Sequence, residues 1–494
     1  MKKKVQVSEV VLTEINREGL LDESQHFFQV DFLKALMIFL VIFDHVVYWD
    51  VKNNIGATLW ERISIPVFLV LLGFNAGKSF QRQGDVSLKE LYSWKYFKKK
   101  ILRYIVPYLI LYAVSTLIGL IIYGFDITAM YRTQYYPSHG YMNLFIGILP
   151  FWGPGNWFLP LLFQSILILP LLYKFFTKKP IIALISCFII EIAMQLCVFF
   201  FIGDLFPGGV ISFPKLHILN MFMDCVLFYL SGIGLGMWFS FEYRLEHSRN
   251  FFMWLLYPIS LAFIVTYQFF GYRIMIGNVP LLRGDYHFLI FPYSAFLVLL
   301  ALKFLPQRVD GPIKRAISLI GKSTYHILLT QIFGFGIMFS SLGRHYIIFD
   351  GFSWLDVLYL TFAWLLFIPL GILWYKIDQN KNIYRRILYY LNFFLILTIA
   401  TFTIFVSRGD WAPIPMYVII GVAVAALIPI LHPRIRLRTR IIALWTAFLG
   451  YCFAMTILYV AILPPTEFLT QNISIGAFLV VAVVGTYLDY KFLK

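Results

Sequence analysis

Near-continuous apolar segments of about 20 residues recur along most of this chain and restrict it to one class of fold. The 494 residues are 60% hydrophobic and only 13% charged, with a mean hydropathy of +0.78. Segments of this length suit helices that cross a bilayer, where every backbone polar group needs a partner within the segment. Their polarity does not alternate, which excludes a membrane β-barrel. We therefore predict an all-α polytopic membrane protein.

We predict fourteen membrane spans, preceded by a polar N-terminal segment at residues 1–27. The last four spans carry fewer polar side chains than the first ten. This difference divides the chain into a ten-span core at 28–380 and a four-span C-terminal appendix at 381–494. The predicted spans are 30–50, 60–80, 103–123, 156–176, 180–202, 217–240, 251–270, 285–305, 323–342, 353–375, 387–407, 414–431, 441–463 and 473–491.

The distribution of basic residues predicts how the chain is oriented. With the N-terminus in the cytoplasm, all but eight of the 41 Lys and Arg fall on the cytoplasmic side, as the positive-inside rule requires. We therefore expect both termini in the cytoplasm and a multi-pass protein of the plasma membrane. The net charge of +16 is spread over short loops between spans, which argues against a nucleic-acid partner.

The first predicted span contains ionisable residues that a purely structural membrane helix rarely has. Lys34 and His45 are eleven residues apart, so they share one helix face and lie about 16 Å apart along the axis. We predict Lys34 at the cytoplasmic edge and His45 past the membrane midplane. A neutral imidazole there is suited to act as a general base, although a histidine that only packs between helices is an alternative. Asp44 can orient this ring from the side or pair with a neighbouring helix.

A second basic cluster precedes the third span. Lys98, Lys100 and Arg103 lie near its cytoplasmic end, and Arg103 enters the apolar segment that contains Pro107. Together with Lys34 they would bind the phosphates of an anionic cofactor through charge-assisted hydrogen bonds. The simpler alternative is a topology signal of the positive-inside type.

The outer segments 124–155 and 271–288 are long and rich in aromatic and polar residues. This composition suits a saccharide, whose rings stack on aromatic side chains and whose hydroxyls need polar partners. Arg132, His139, Arg283 and His287 are the candidate acceptor-binding residues in these segments. An aromatic belt at the membrane interface is an equally good interpretation. The chain has no motif with metal-ligand spacing, so we expect no metal.

Taken in order, these motifs resemble the membrane-bound acyltransferase 3 family over about residues 28–380. Asp31 and Lys34-x10-His45 match the opening of its first span, with Lys in place of Arg. Lys100-x2-Arg103 matches its Arg-x2-Arg element, again with Lys in the first position. Three further stretches resemble family elements: Leu72-Gly73-Phe74, Trp157-Phe158-Leu159, and residues 321–331, which keep Tyr325 but have Gln331 where a histidine is usual.

The resemblance implies an acyltransferase that moves an acyl group, usually acetyl from acetyl-coenzyme A, to a hydroxyl of a surface glycan or a lipid-linked saccharide. His45 and Asp44 would be catalytic, Lys34, Lys98, Lys100 and Arg103 would bind the donor, and Trp157 and Tyr325 would join the acceptor-binding residues. Lys in place of Arg keeps the charge but loses bidentate geometry. Gln331 does not titrate and is therefore not a second base.

Two other classes of protein compete with this interpretation. A secondary transporter, such as a flippase of a glycan precursor, suits the predicted span number, but it would have internal inverted repeats, and we find none in the sequence. A metal-dependent transferase that uses a glycosyl carrier would have a carboxylate pair at a span end. No Asp-x-Asp motif stands at such a position.

Overall fold

The computed structural model describes most of the predicted ten-span core. The described residues are 27–122, 125–127, 130, 155–202, 224–241, 251–277, 279–281, 286–306, 311–338, 354–383, and single positions or pairs between 386 and 397. The N-terminal segment, most of the outer loop at 124–155, and nearly all of the four-span appendix lie outside this part. The candidate acceptor-binding residues Arg132, His139 and Arg283 therefore also lie outside it.

The described part is helical except for one short hairpin, which confirms the all-α prediction in its main feature. The hairpin pairs β1 (Met275–Ile276) with β2 (Val279–Pro280) in antiparallel orientation. A π-helical turn at Ile101–Ile105 and a 3-10 turn at Val226–Tyr229 adjoin longer helices. The helices are α1 Phe28–Val46, α2 Trp49–Asn54, α3 Ala57–Trp60, α4 Ser64–Gln81, α5 Leu88–Leu91, α6 Trp94–Lys100, α7 Val106–Ile122, α8 Phe158–Lys178, α9 Pro180–Ile202, α10 Leu230–Phe241, α11 Phe251–Phe270, α12 Phe291–Phe304, α13 Pro312–Met338 and α14 Trp354–Asp378.

Each of the first ten predicted spans overlaps a helix in the described part, although α10 and α13 begin at other residues than predicted. Helices α9 and α11 match their predicted spans residue for residue. Among the described residues, five helical stretches are long and apolar enough to cross a membrane by length and composition: Ala57–Gln81, Leu88–Leu120, Phe158–Lys178, Pro180–Phe200 and Met253–Phe270. Helix α1 is of similar length but carries Asp31, Lys34 and Asp44. The span number and the location of the termini stay predictions.

Helices α4 and α10 pack backbone against backbone through glycines. A methyl group added at Gly73 would lie 1.9 Å from the Ile233 carbonyl oxygen, and one at Gly236 would lie 1.8 Å from that of Val70. No side chain fits either gap, so glycine is required for this approach, as it is in many membrane helix pairs. The Leu72-Gly73-Phe74 element is therefore a helix-packing element in this structure.

Helix α1 lies at the centre of the core, in contact with α4, α13 and α14. It runs parallel to α13, because Asp31 lies against Gly321 and Ser318 whereas His45 lies against Phe335. The two helices therefore run in the same direction, from the end of α1 that carries Lys34 to the end that carries His45.

The first span is shorter than predicted and ends at Val46 instead of residue 50. The reason is a cap: Lys52 folds back and its Nζ donates to the Asp44 carbonyl oxygen at 2.8 Å. The last carbonyls of a helix have no intrahelical donor, and a lysine near the C-terminus satisfies them well. His45 thus lies in the last turn of α1.

Candidate active site

His45 is enclosed at the end of α1 by residues from two distant parts of the chain. Its side chain is 16% exposed, and its ring packs edge-on against Phe335 of α13 with centroids 5.7 Å apart. Gly155 approaches from the other side in a left-handed conformation, with φ +89°. A methyl group at Gly155 would lie 3.6 Å from His45 Nε2. The Nε2 side of the imidazole therefore faces the turn that begins α8.

Asp44 lies on the Nδ1 side of the same imidazole and is also ion-paired. Its Oδ2 is 3.4 Å from His45 Nδ1, while its Oδ1 is 2.6 Å from Lys52 Nζ and 3.5 Å from Arg62. Both alternatives from the sequence thus hold: Asp44 flanks the ring and pairs with neighbouring segments. A proton on Nδ1 would face this carboxylate, which leaves Nε2 as the basic nitrogen.

Arg62 links this carboxylate to an aromatic group. It lies 3.6 Å from the buried Glu61 carboxylate, and its NH1 donates to the Tyr286 hydroxyl at 3.4 Å. The Tyr286 ring stacks on Trp157, which also stacks on Tyr229, with centroids 5.7 Å apart in both pairs. Trp157 is therefore held rigidly beside the residues around His45.

Four cations gather around Tyr104 near the first turns of α1. Lys34, Lys99, Lys100 and Arg103 all interact electrostatically with this tyrosine. Arg103 Cζ lies 5.3 Å from the ring centroid, and Lys100 Nζ lies 5.6 Å from it. Arg103 belongs to the π-helical turn Ile101–Ile105, a local irregularity that is frequent at functional sites. We call Lys34, Lys99, Lys100, Arg103 and Tyr104 the basic cluster.

The basic cluster is fixed to α13 by two polar contacts. The Tyr325 hydroxyl donates to the Tyr104 carbonyl oxygen at 2.7 Å, and the two rings meet edge to face. Ser318 donates a short hydrogen bond to Asp31, which in turn interacts electrostatically with Lys34. The cluster holds an excess of positive charge, which suits an anion such as a phosphate.

Comparison with known families supports the resemblance drawn from the motifs. The sequence model of the acyltransferase 3 family, described as an acyltransferase domain, matches residues 27–376. The chain belongs to the acyltransferase 3 family. No curated protein and no solved structure matches it. The apolar helices and the family together identify it as a membrane protein with an acyltransferase domain.

Three residues of this acyltransferase lie where the motifs did not predict them. Tyr325, grouped by sequence with the acceptor-binding residues, contacts Tyr104 of the basic cluster and lies ten residues, or about 15 Å, along α13 from Phe335. Lys98 is exposed on α6 and is not among the lysines that interact with Tyr104, whereas its neighbours Lys99 and Lys100 are. His287 is buried, with Nδ1 accepting from the Leu289 backbone N–H at 3.2 Å and its ring packed on Phe263.

The sequence alone also missed residues that the fold brings to these sites. Lys52 and Arg62 count among the eight outer basic residues, but nothing in their spacing predicts that both return to Asp44. Tyr286 is adjacent in sequence to His287, the residue that the composition of the loop favoured. Only Tyr104 carried a detectable signal, because it follows Arg103 directly.

Proposed function

We propose that this acyltransferase moves an acyl group, most simply acetyl, from cytoplasmic acyl-coenzyme A to a hydroxyl of a cell-surface or lipid-linked saccharide. His45 is the general base. One observation carries the proposal: the basic cluster and His45 lie at opposite ends of the same helix, with Lys34 and His45 about 16 Å apart along its axis. Acyl-coenzyme A is arranged in the same way, with phosphates at one end and the thioester at the other.

The donor binds with its phosphates at the basic cluster. Lys34, Lys100 and Arg103 supply the charge, and the Tyr104 hydroxyl is a further hydrogen-bonding group. The pantetheine arm then follows the interface of α1 and α13, whose parallel packing leads from Asp31 and Ser318 to His45 and Phe335. The Lys-for-Arg positions imply recognition by charge more than by bidentate geometry.

The acceptor hydroxyl binds on the Nε2 side of His45. The imidazole removes its proton while the hydroxyl oxygen attacks the thioester carbon, and Asp44 keeps the ring in the reactive orientation. Direct transfer within a complex of both substrates is the simpler course. Labelled protein trapped after treatment with acetyl-coenzyme A alone would instead indicate an acyl-histidine intermediate.

The residues around His45 are consistent with a neutral, hydroxyl-rich acceptor. Lys52 and Arg62 are balanced by Asp44 and Glu61, so this end carries little net charge. The stacked rings of Trp157, Tyr229 and Tyr286 offer edges and a hydroxyl to a sugar. Arg132, His139 and Arg283 lie outside the described residues and stay sequence-based candidates for acceptor binding.

The sidedness of the reaction is tested with sealed inside-out vesicles that contain the protein. The basic residues orient α1 from the cytoplasm outward, so acetyl-coenzyme A added outside these vesicles should acetylate saccharide enclosed in their lumen. Vesicles with His45→Ala serve as the control for background acetylation. Acetylation confined to saccharide on the cytoplasmic side would overturn the transmembrane transfer but leave the chemistry at His45 intact. Absence of any His45-dependent transfer would overturn the proposed function.

A further inference from the structure

Two buried carboxamides next to His45 stand apart from the other polar groups of the core. Asn156 and Gln331 are both 0% exposed. Neither the nitrogen nor the oxygen of either side chain hydrogen-bonds to any residue. They are the two carboxamides in the described part of the chain for which this is true of both polar atoms. Buried polar groups without partners are rare in folded proteins and call for an explanation.

Both carboxamides flank the same turn. Asn156 follows Gly155, and Gln331 precedes Ile332 on α13. A methyl group at Gly155 would lie 3.6 Å from His45 Nε2 and 3.6 Å from Ile332 Cγ1, so this turn lies against both side chains. Each carboxamide is therefore one residue along the chain from a residue at this contact with the imidazole.

The turn at 155–157 is also the N-terminus of α8, a helix of 21 residues. Its first hydrogen bonds run from Phe158 N to Gly155 O and from Leu159 N to Asn156 O. The backbone N–H groups that precede these bonds lie at the positive end of the helix dipole. Negative charge that develops beside His45 Nε2 is therefore stabilised by this end of α8.

We propose that Asn156, assisted by Gln331 and the N-terminus of α8, binds the carbonyl oxygen of the acyl group and stabilises the oxyanion formed during transfer. This inference rests on the proposed function of His45. A neutral amide suits the task because the thioester carbonyl carries its full negative charge only in the tetrahedral intermediate. A fixed cation would also stabilise other anions at this position.

The acyl transfer passes through a tetrahedral intermediate. The acceptor oxygen forms a bond to the thioester carbon, and its proton passes to His45 Nε2. The carbonyl electron pair moves to oxygen, where the Asn156 N–H donates to it. The carbonyl re-forms, the carbon–sulfur bond breaks, and the coenzyme A thiolate takes the proton from His45. The products are the ester and free coenzyme A.

Gln164 provides a matched control on the same helix. Both of its polar atoms are paired: Nε2 donates to the Asp224 carbonyl oxygen at 3.1 Å, and Oε1 accepts from Val226 N at 2.9 Å. Its amide thus holds α8 against the turn that precedes α10. The Gln164 amide, which has a structural role, can therefore be compared with the Asn156 amide, for which we propose a chemical role.

The test uses the full-length protein with acetyl-coenzyme A as donor and a membrane lipid extract as acceptor source. Asn156→Leu should lower kcat by about 10²–10³-fold, as loss of an oxyanion donor does elsewhere. Its affinity for free coenzyme A and its unfolding temperature should not fall. Gln331→Leu should act in the same direction with a smaller loss, whereas Gln164→Leu should lower the unfolding temperature and keep kcat.

Three results would overturn the inference. The first is a parental kcat in Asn156→Leu while the parent transfers normally, which leaves the proposed function intact. The second is a loss of kcat that follows a parallel drop in unfolding temperature, since that indicates a structural role. The third is a parent protein with no His45-dependent transfer, which overturns the proposed function and this inference together.

Discussion

Both ends of α1 carry ionisable groups, but the charges are balanced at the His45 end and unbalanced at the Lys34 end. At the His45 end, Asp44 and Glu61 balance Lys52 and Arg62 through ion pairs of 2.6 to 3.6 Å. At the Lys34 end, four cations surround Tyr104, and Asp31 is the carboxylate that interacts with Lys34. Paired charges fix a geometry, whereas unbalanced charges attract a ligand of opposite sign.

This difference separates chemistry from binding along a single helix. A general base needs a fixed orientation, and the Asp44 carboxylate with its two cations provides it. A phosphate site needs net positive charge and tolerates variation in geometry, which agrees with lysines at positions 34 and 100. Variants at the His45 end should therefore change kcat, and variants at the Lys34 end should change the apparent KM for the donor.

The largest effect is expected from His45→Ala. Removal of the general base should lower kcat by on the order of 10²–10⁴-fold. Affinity for coenzyme A, measured on the purified protein, should stay at the parental value because the basic cluster lies at the other end of α1. Near-full transfer by the variant would contradict the role of His45, and loss of coenzyme A binding would contradict the separation of the two ends.

Asp44→Asn tests the orientation of the imidazole. We expect kcat to fall by about 10–100-fold, by analogy with the loss of the partner that orients a metal-bound histidine. The variant also leaves Lys52 and Arg62 without their shared carboxylate, so its unfolding temperature should drop. Asp85→Asn is the matched control, because Asp85 pairs with Lys174 at 2.9 Å on the surface and should change neither quantity much. Equal kcat in the two variants would rule out an orienting role.

Much of the difference between the two ends of α1 can be predicted from sequence, because helix periodicity is a local property. The shared face of Lys34 and His45 follows from their spacing, and the bounds of α9 and α11 follow from their apolar segments. The return of Lys52 and Arg62 to Asp44 depends on how α2 and α3 fold over the end of α1. No local pattern encodes that path. The same holds for the burial of Asn156, because no local pattern predicts that the turn at Gly155 lies against His45 and Ile332.

The place of Tyr325 shows which sequence signal was the better guide. It stands near the cytoplasmic start of its predicted span, and the parallel course of α1 and α13 places it beside Tyr104. Grouping it with Trp157 relied on motif order, which contains no information about depth in the membrane. The direction of a span is therefore more informative for a residue near a span end than its membership in a motif.

A smaller effect, confined to the donor, is expected at the basic cluster. Lys34→Ala and Arg103→Ala should each raise the apparent KM for acetyl-coenzyme A by roughly tenfold or more, as expected when a charge-assisted hydrogen bond is lost. Added salt should raise the parental KM, since exposed charges are screened over about 8–10 Å. Lys34→Arg should be tolerated, and Lys98→Ala should have less effect because Lys98 does not interact with Tyr104 as the cluster residues do. Parental KM values in both alanine variants would show that the basic cluster only orients the chain in the membrane and does not bind the donor.

The smallest effect is expected from Tyr325→Phe. This variant tests whether the Tyr325 hydroxyl supports binding of the donor or of the acceptor. The variant loses only the hydrogen bond to the Tyr104 carbonyl oxygen, which contributes about 0.5–1.5 kcal/mol and corresponds to roughly a 2- to 13-fold change in affinity. We expect that change in the apparent KM for acetyl-coenzyme A, with kcat and the KM for the acceptor unchanged. Tyr293→Phe is the control, because it removes a similar bond of 2.9 Å to the Leu59 carbonyl oxygen and should leave the donor KM at the parental value. A rise in the acceptor KM alone would return Tyr325 to the acceptor site and contradict the assignment of its hydroxyl to the donor end.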